Sequence, residues 1–497
     1  MGTRARFGHS GRVVIAAAIV AAALAGGNAA RAAPRFIAVP LGTLGGPSSF
    51  ASGINARGEL TGWADTASGV WHAFLWTSGG MRDLGTLGGT HSAGRAVNAR
   101  GEVTGWAYSA PGVSHVFLYT AGSMIDLGTL GGDSGTGHAI NDGGEITGQS
   151  DAGGGSALHA FLYSAGTMTD LGTNGDDFGV AYGINNRGQM AINAYDRGVR
   201  SRAFIYDDGV MTDIGSLGGS YTAAYAINAT GAITGISETA DREPRVFLYA
   251  AGTMIDLGQP GAGVAVNDHG HVVGETTITR AFLHAHGTPY DLTALVVEGL
   301  APGEWLAYAG GINNAGQIAA TATVEGFQRK LAYRLDPVPL AVEYHHSGDD
   351  RYFVTASPME IAALDAAGIA GWRRTGEAFG VYPLSVRDGA AVCQFQSAST
   401  FTPGRSRFYT PYAAECAALK VDPDWVFDGE AFATRLPDPA GGCRDTMIPL
   451  YRLYNGGKGG APNHRYTTSA TVRSDMVAKG WIPEGVGGGV IGCVLPP

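Results

Sequence analysis

One motif sets the arithmetic of this chain. Segments reading Leu-Gly-Thr-Leu-Gly-Gly or close variants begin at Leu41, Leu84, Leu127, Leu171, Ile214 and Leu257, spaced 43, 43, 44, 43 and 43 residues. So regular a period is the mark of a repeat architecture, in which one supersecondary unit recurs and its copies pack on one another. Inside each period an Asn recurs in an Ile/Val-Asn-x-x-Gly step, at Asn55, Asn98, Asn141, Asn185, Asn228, Asn267 and Asn313. A Phe closes six copies, at Phe74, Phe117, Phe161, Phe204, Phe247 and Phe282, and Ala332 takes its place in the seventh.

Composition decides what the unit is made of. Gly accounts for 79 of 497 residues and only 15% are charged, which excludes a collagen, a coiled coil and a highly charged disordered chain. Glycine spread among Val, Ile, Phe and Tyr points to short strands joined by tight turns. The second copy reads as strands at 94–97, 102–107, 115–119 and 123–127, with a turn at 98–101. Four strands in about 43 residues is the size of a propeller blade, and the 3.6-residue hydrophobic period of a helical repeat is absent. The Asn suits an Asx turn, and the Gly three residues later supplies a positive φ that a Cβ would resist.

The ends of the array complement each other. The chain enters on a strand of the fourth type, 36–41, and leaves on one of the third type, 330–335. The expected fold of residues 34–335 is therefore all-β: a seven-bladed β-propeller closed by its N-terminal strand, with no open sheet edge.

These repeats resemble the bacterial HAF-repeat family of extracellular proteins, named for a triplet that stands here as His72-Ala73-Phe74 and His159-Ala160-Phe161. The resemblance covers about residues 36–335 and implies a location outside the cell and a repeat fold, with no activity attached. Later copies depart from the triplet: His115 precedes Val116, Arg202, Arg245 and Arg280 replace the His, and Lys330 keeps only the charge. Opposite this basic column stands an acidic one, Asp83, Asp126, Asp170, Asp213, Asp256 and Asp291. A cross-strand pair within each unit accounts for both columns. A metal ring does not, because Arg is no ligand.

Ligand candidates are sought in the loops around the channel, which vary most. They carry His91, Asp133, His138, Asp176, Asp177, Phe178, Tyr221, Glu304 and Trp305, with Trp63 and Trp106 ending second strands. Acids and aromatics of this kind suit a sugar or a Ca²⁺ ion, but no EF-type spacing is present. Asp176, Asp177, Glu304 and Trp305 are the residues singled out here.

Residues 1–33 read as a leader rather than as fold. Arg4, Arg6 and Arg12 precede an apolar run of 13 residues, 13–25, and Ala30-Arg31-Ala32 fits a signal-peptidase site. The run is too short to anchor in a bilayer, so no membrane span is expected and the mature protein is placed in the periplasm or outside the cell. Loss of the leader's arginines takes the formal charge from −10 to −14, which argues against a nucleic-acid partner.

After a Pro-containing linker at 336–340 the pattern changes. Residues 341–497 carry a threefold repeat: Arg351-Tyr352-Phe353-Val354-Thr355, Arg407-Phe408-Tyr409-Thr410 and His464-Arg465-Tyr466-Thr467-Thr468, followed by Trp372, Trp425 and Trp481. Helical stretches are expected between the marks at 358–367, 413–420 and 471–479, the first capped by Ser357, giving a small α+β domain of three strand–helix–strand units. This region resembles a C-terminal domain of unknown function found on secreted bacterial proteins, recognised by HFYT-like and HRYTT motifs followed by W-x-x-E-G. The resemblance implies an accessory module that binds surfaces or glycans, with Tyr466 and Trp481 as stacking candidates. All four cysteines lie here, Cys393, Cys416, Cys443 and Cys493, and in an exported chain they are expected as disulfides. Of the three connectivities, Cys393–Cys416 with Cys443–Cys493 is preferred, since each pair brackets one repeat.

No G-x-S-x-G, H-E-x-x-H or phosphate loop is present, and His345-His346 with Asp349 and Asp350 is the one local cluster of metal-capable side chains, read as a polar turn. The expectation is thus a monomeric, secreted, non-catalytic binding protein for a glycan or surface protein, with no cofactor or metal. The alternative is an extracellular polysaccharide hydrolase or lyase working on the channel face through Asp176, Asp177 or Glu304.

Overall fold

A computed structural model describes residues 33–497 apart from 154–156, 197–199, 325–328, 367–370, 385, 387–388, 399–405, 445 and 458–461. All of the expected leader but its last residue lies outside the described residues. The chain divides after Pro337 into two compact units.

Among its described residues the first unit is all-β apart from one turn of helix, Leu292–Leu295. Its strands come in groups of four, antiparallel and in chain order, which is the arrangement of propeller blades. In the second copy they are Ser92–Val97, Val103–Ala110, Val113–Thr120 and Ser123–Gly128, one to three residues longer than the sequence suggests at most ends. The last group, Trp305–Ile312, Ile318–Val324 and Arg329–Pro337, takes its fourth strand from the other end of the array. Phe36–Pro40 pairs antiparallel with Arg329–Pro337, Ala38 facing Leu335. A short strand that the sequence did not suggest, Val296–Glu298, adds in parallel to Phe36–Ile37.

The repeated residues explain the repeated geometry. The phenylalanines are the core of each group, all six within 4% of full burial. Their neighbour across the sheet in most groups is a Gly on the second strand, and the first strand is bulged opposite it. A Cβ at Gly62, Gly148 or Gly274 would stand 1.8, 1.9 or 2.0 Å from the carbonyl oxygen of Phe50, Thr136 or Ala262, so the bulge requires glycine.

The seven asparagines do two things. Each closes its turn, as Asn55 does when its Oδ1 accepts from the N–H groups of Arg57 and Glu59 at 2.9 and 3.0 Å, and the Gly three residues on has positive φ in all seven copies. Each also donates its Nδ2 to the main-chain carbonyl of the next copy's Asn, at 2.8–3.2 Å. The seventh bond runs from Asn313 back to Asn55, so the series returns to its start. Sequence reading finds the turn; the second bond, between copies, it does not.

The basic and acidic columns are only half explained by pairing. His72, His115 and His159 do meet Asp83, Asp126 and Asp170 through Nδ1, at 2.8–2.9 Å. The arginine and lysine copies go elsewhere: Arg202 pairs with Asp176, Arg280 lies over Trp305 and Lys330 over Phe50. Of the six pairs expected where an acid is present, three are seen among the described residues; the seventh copy has Pro40 in place of the acid. What all six acids share is an Asx turn, each accepting from the main-chain N–H two residues on. A longer base is free to reach past an acid that is already occupied.

In the second unit each copy runs strand–strand–helix–strand, one strand more than expected, because an opening strand without a repeated signature pairs with both marked ones; the third copy adds Val490–Val494 to its opening strand. These opening strands are Leu340–His346, Ala390–Ser397 and Ile448–Tyr454, and the helices are Pro358–Asp365, Ala413–Lys420 and Ala470–Ala478. Asp336 and Pro337, expected in the linker, still belong to the strand Arg329–Pro337, and Leu340 opens the next. The repeated threonines act locally, since Thr355, Thr410 and Thr467 each accept from the N–H two residues later and so turn the chain into the helix. Ser357 caps the first helix by accepting from the Glu360 N–H. Cys393 is bonded to Cys416 and Cys443 to Cys493.

Candidate functional site

The residue three positions before each turn asparagine does not repeat. It reads Ser52, Arg95, His138, Tyr182, Tyr225, Val264 and Gly310, and all seven line a single cavity of 580 Å³ between the first strands. Glu275, on the second strand Val272–Thr276, and Tyr308 complete its polar wall. A volume in this range suits a small ligand.

Two charged groups on that wall have no partner within the chain. Among the described residues neither the exposed Arg95 guanidinium nor the half-buried Glu275 carboxylate has an ion pair or hydrogen bond. Burial pushes the Glu275 carboxyl above its usual range. His138 is only half-buried as a residue, but its Nε2 is shut off from water and has no partner. Its ring rests on Tyr182, 4.6 Å between centroids, with Gln149 supporting it from the neighbouring strand. Burial, and then the nearby Arg95 charge, push the His138 imidazole down to about 3, so it is neutral at physiological pH. Burial likewise raises the hydroxyls of Tyr182, Tyr195 and Tyr225, and moves Tyr308 up to about 12, keeping all four as protonated donors.

From the cavity an aromatic belt runs outward over the first two copies. Tyr308 touches Phe50 at 4.8 Å, Phe50 stacks on Trp63 at 5.8 Å, Trp63 meets Trp71 at 6.0 Å, and Trp71 meets His91 at 4.1 Å. Tyr108 and Trp106 continue it. The Trp71 ring is 39% exposed and the other members are half-buried.

The residues singled out from sequence are dispersed. Asp176 is held by Arg202 at 2.9 Å, while Asp177 gives its N–H to the Tyr195 carbonyl beside the tyrosine cluster. Glu304 accepts from the Tyr333 hydroxyl at 2.7 Å and from the Ala301 N–H at 2.9 Å, and Trp305 lies under Arg280. Tyr466 is 3% exposed, with its hydroxyl at the Tyr409 main chain, so it is core and not a stacking face. Trp481 is half-buried against Tyr352. His345 bonds Asp350 and His346 bonds Asp349, and no group of three metal-capable side chains is gathered among the described residues. A second, apolar groove of 320 Å³ lies between the fifth and sixth copies, rimmed by His269, His271, His284 and His286. Arg95 and Glu275 escape a reading that looks only at loops, since both sit within strands. The signal that finds Arg95 is the column that fails to repeat; Glu275 lies outside that column, on a second strand.

No protein-family profile matches the chain, and no curated protein sequence matches it. Among solved structures it is similar to TolB from Acinetobacter baumannii, 10% identical with a TM-score of 0.34, over 60% of this chain and 64% of that one. It is also similar to the β-propeller domain of the trilobed protease from Pyrococcus furiosus, 9% identical with a TM-score of 0.39, over 58% and 93% of the two chains. A third likeness is to the Aleuria aurantia lectin, 13% identical with a TM-score of 0.31, over 67% and 97%. No helix among the described residues is long and apolar enough to cross a membrane.

Proposed function

We propose that the chain is a secreted or periplasmic glycan-binding protein of the HAF-repeat type, its ligand held by the first unit. The framework is a seven-bladed propeller closed by the N-terminal strand. The antiparallel pairing of Phe36–Pro40 with Arg329–Pro337 and the seven-membered series of asparagine bonds support that reading. Two disulfides fit an oxidising compartment.

The observation that carries the function is the belt from Tyr308 to Trp106, because a row of half-buried aromatic rings with the exposed Trp71 among them suits the C–H faces of successive sugars. The second unit acts as an accessory module without a stacking role for Tyr466. Asp176 and Glu304 are engaged by Arg202 and by Tyr333 and Ala301, which favours binding over a hydrolase or lyase. A glycan array on the full chain, made in an oxidising host, tests the reading. Wild type should bind a subset of polysaccharides and Trp71→Ala should lose roughly tenfold in affinity; no binding to any glycan overturns it.

A further inference from the structure

We infer that the cavity between the first strands takes a sugar acid, the carboxylate-bearing end residue of a glycan whose following sugars lie along the aromatic belt. This rests on the glycan reading above and adds the chemistry of the residue that enters.

Two charged groups on the cavity wall are left open by the chain. Arg95, exposed to solvent, and the half-buried Glu275 carboxylate both line the 580 Å³ space, and among the described residues neither has an ion pair or hydrogen bond to another side chain. Each asks for a different partner. The planar fork of Arg95 matches a carboxylate, which can accept two parallel N–H bonds. Glu275 asks for hydroxyl hydrogens.

A neutral sugar engages Glu275 and leaves the arginine fork unused. A sulfate engages the arginine but brings no hydroxyl to Glu275. A hexuronic acid carries one carboxylate and several hydroxyls, and it engages both. Tyr308 joins the cavity to the belt, since it lines the one and starts the other. A chain of sugars therefore has a continuous path from the acid-recognising end to the stacking surface.

The test is titration calorimetry of the full chain with trisaccharides of galacturonate and of mannuronate, with their methyl esters, and with neutral hexose trisaccharides. The expected result is that one acid binds at least about tenfold tighter than its ester, the scale of a charge-assisted pair. Arg95→Met should erase that preference, Arg95→Lys should keep part of it, and Trp71→Ala should weaken acid and ester alike. Retention of the wild-type melting midpoint checks that the variants fold, and the lysine variant keeps a result in hand if the methionine variant fails. Equal binding of acid and ester by wild type, or an acid preference that survives Arg95→Met, overturns the inference while the glycan reading stands. Silence from every glycan overturns both.

Discussion

Both units interrupt their own repeat with charge, and they do so to opposite effect. In the second unit the equivalent central-strand positions are Glu343, Gln394 and Arg452, facing Val354, Tyr409 and Tyr466. Glu343 is fully buried and meets Arg465 at 2.9 Å; Arg452 meets Glu415 at 2.9 Å and Glu484 at 3.1 Å. In the first unit the interrupting charges Arg95 and Glu275 meet no such partner among the described residues. Variation within a repeat is thus not in itself a site. A varied charge that the chain satisfies is architecture, and one that it leaves open is addressed to something else.

The largest expected effect tests the architectural half of that contrast. Glu343→Gln leaves Arg465, only 13% exposed, without its counter-charge, and should cost about 3–5 kcal/mol in chemical denaturation. A loss under about 1 kcal/mol would put Glu343 in the same class as Glu275 and break the comparison. Next comes the repeated asparagine: Asn141→Ala removes the acceptor for the Glu145 N–H and the donor to the Asn185 carbonyl, about 2–3 kcal/mol. Arg95→Met, three residues before another of these asparagines, should stay within about 0.5 kcal/mol of wild type. Should the two variants melt alike, the distinction between the uniform column and the varied one fails.

Acid offers a third, smaller effect. The His138 imidazole titrates near 3 in the folded chain and near 6.5 unfolded, so the unfolded state takes up the proton first as pH falls. Its contribution is intact above about pH 6.5 and is lost progressively towards pH 3, reaching roughly 1.4 kcal/mol by pH 5.5. Melting curves of wild type and His138→Gln should diverge over that window, with the variant less acid-sensitive; parallel curves would mean that the ring is not held neutral. The smallest effect belongs to the surface pairs. His72→Ala should cost no more than about 0.5 kcal/mol, while Asp83→Ala should cost more, because Asp83 also holds the Gly85 N–H.

Much of the framework was legible because it is repeated. The asparagine turn with its positive-φ glycine follows from local chemistry that needs no knowledge of neighbours, and the disulfide pairing from the way each pair brackets one repeat. The bond from each Asn to the next copy was not legible, since a side chain that closes its own turn gives no hint of a second donor across a gap of 43 residues. The arginine copies of the basic column misled for a related reason: charge was read, but reach was not, and Arg202 extends to Asp176 instead of Asp213. The site was hidden in strands. Arg95 and Glu275 lie in Ser92–Val97 and Val272–Thr276, where alternation alone does not say which face opens on a channel and which on a core. Tyr466 shows the converse, an aromatic in a motif that resembles a binding module and yet packs at the centre of its unit.

The most direct measurement is a crystal structure of the full chain grown with the acidic trisaccharide that binds best. The expected result is the terminal carboxylate against the Arg95 guanidinium, with ring hydroxyls at Glu275 and the following sugars over Trp63 and Trp71. A ligand seated instead in the histidine-rimmed groove between the fifth and sixth copies, or on the second unit, would contradict it.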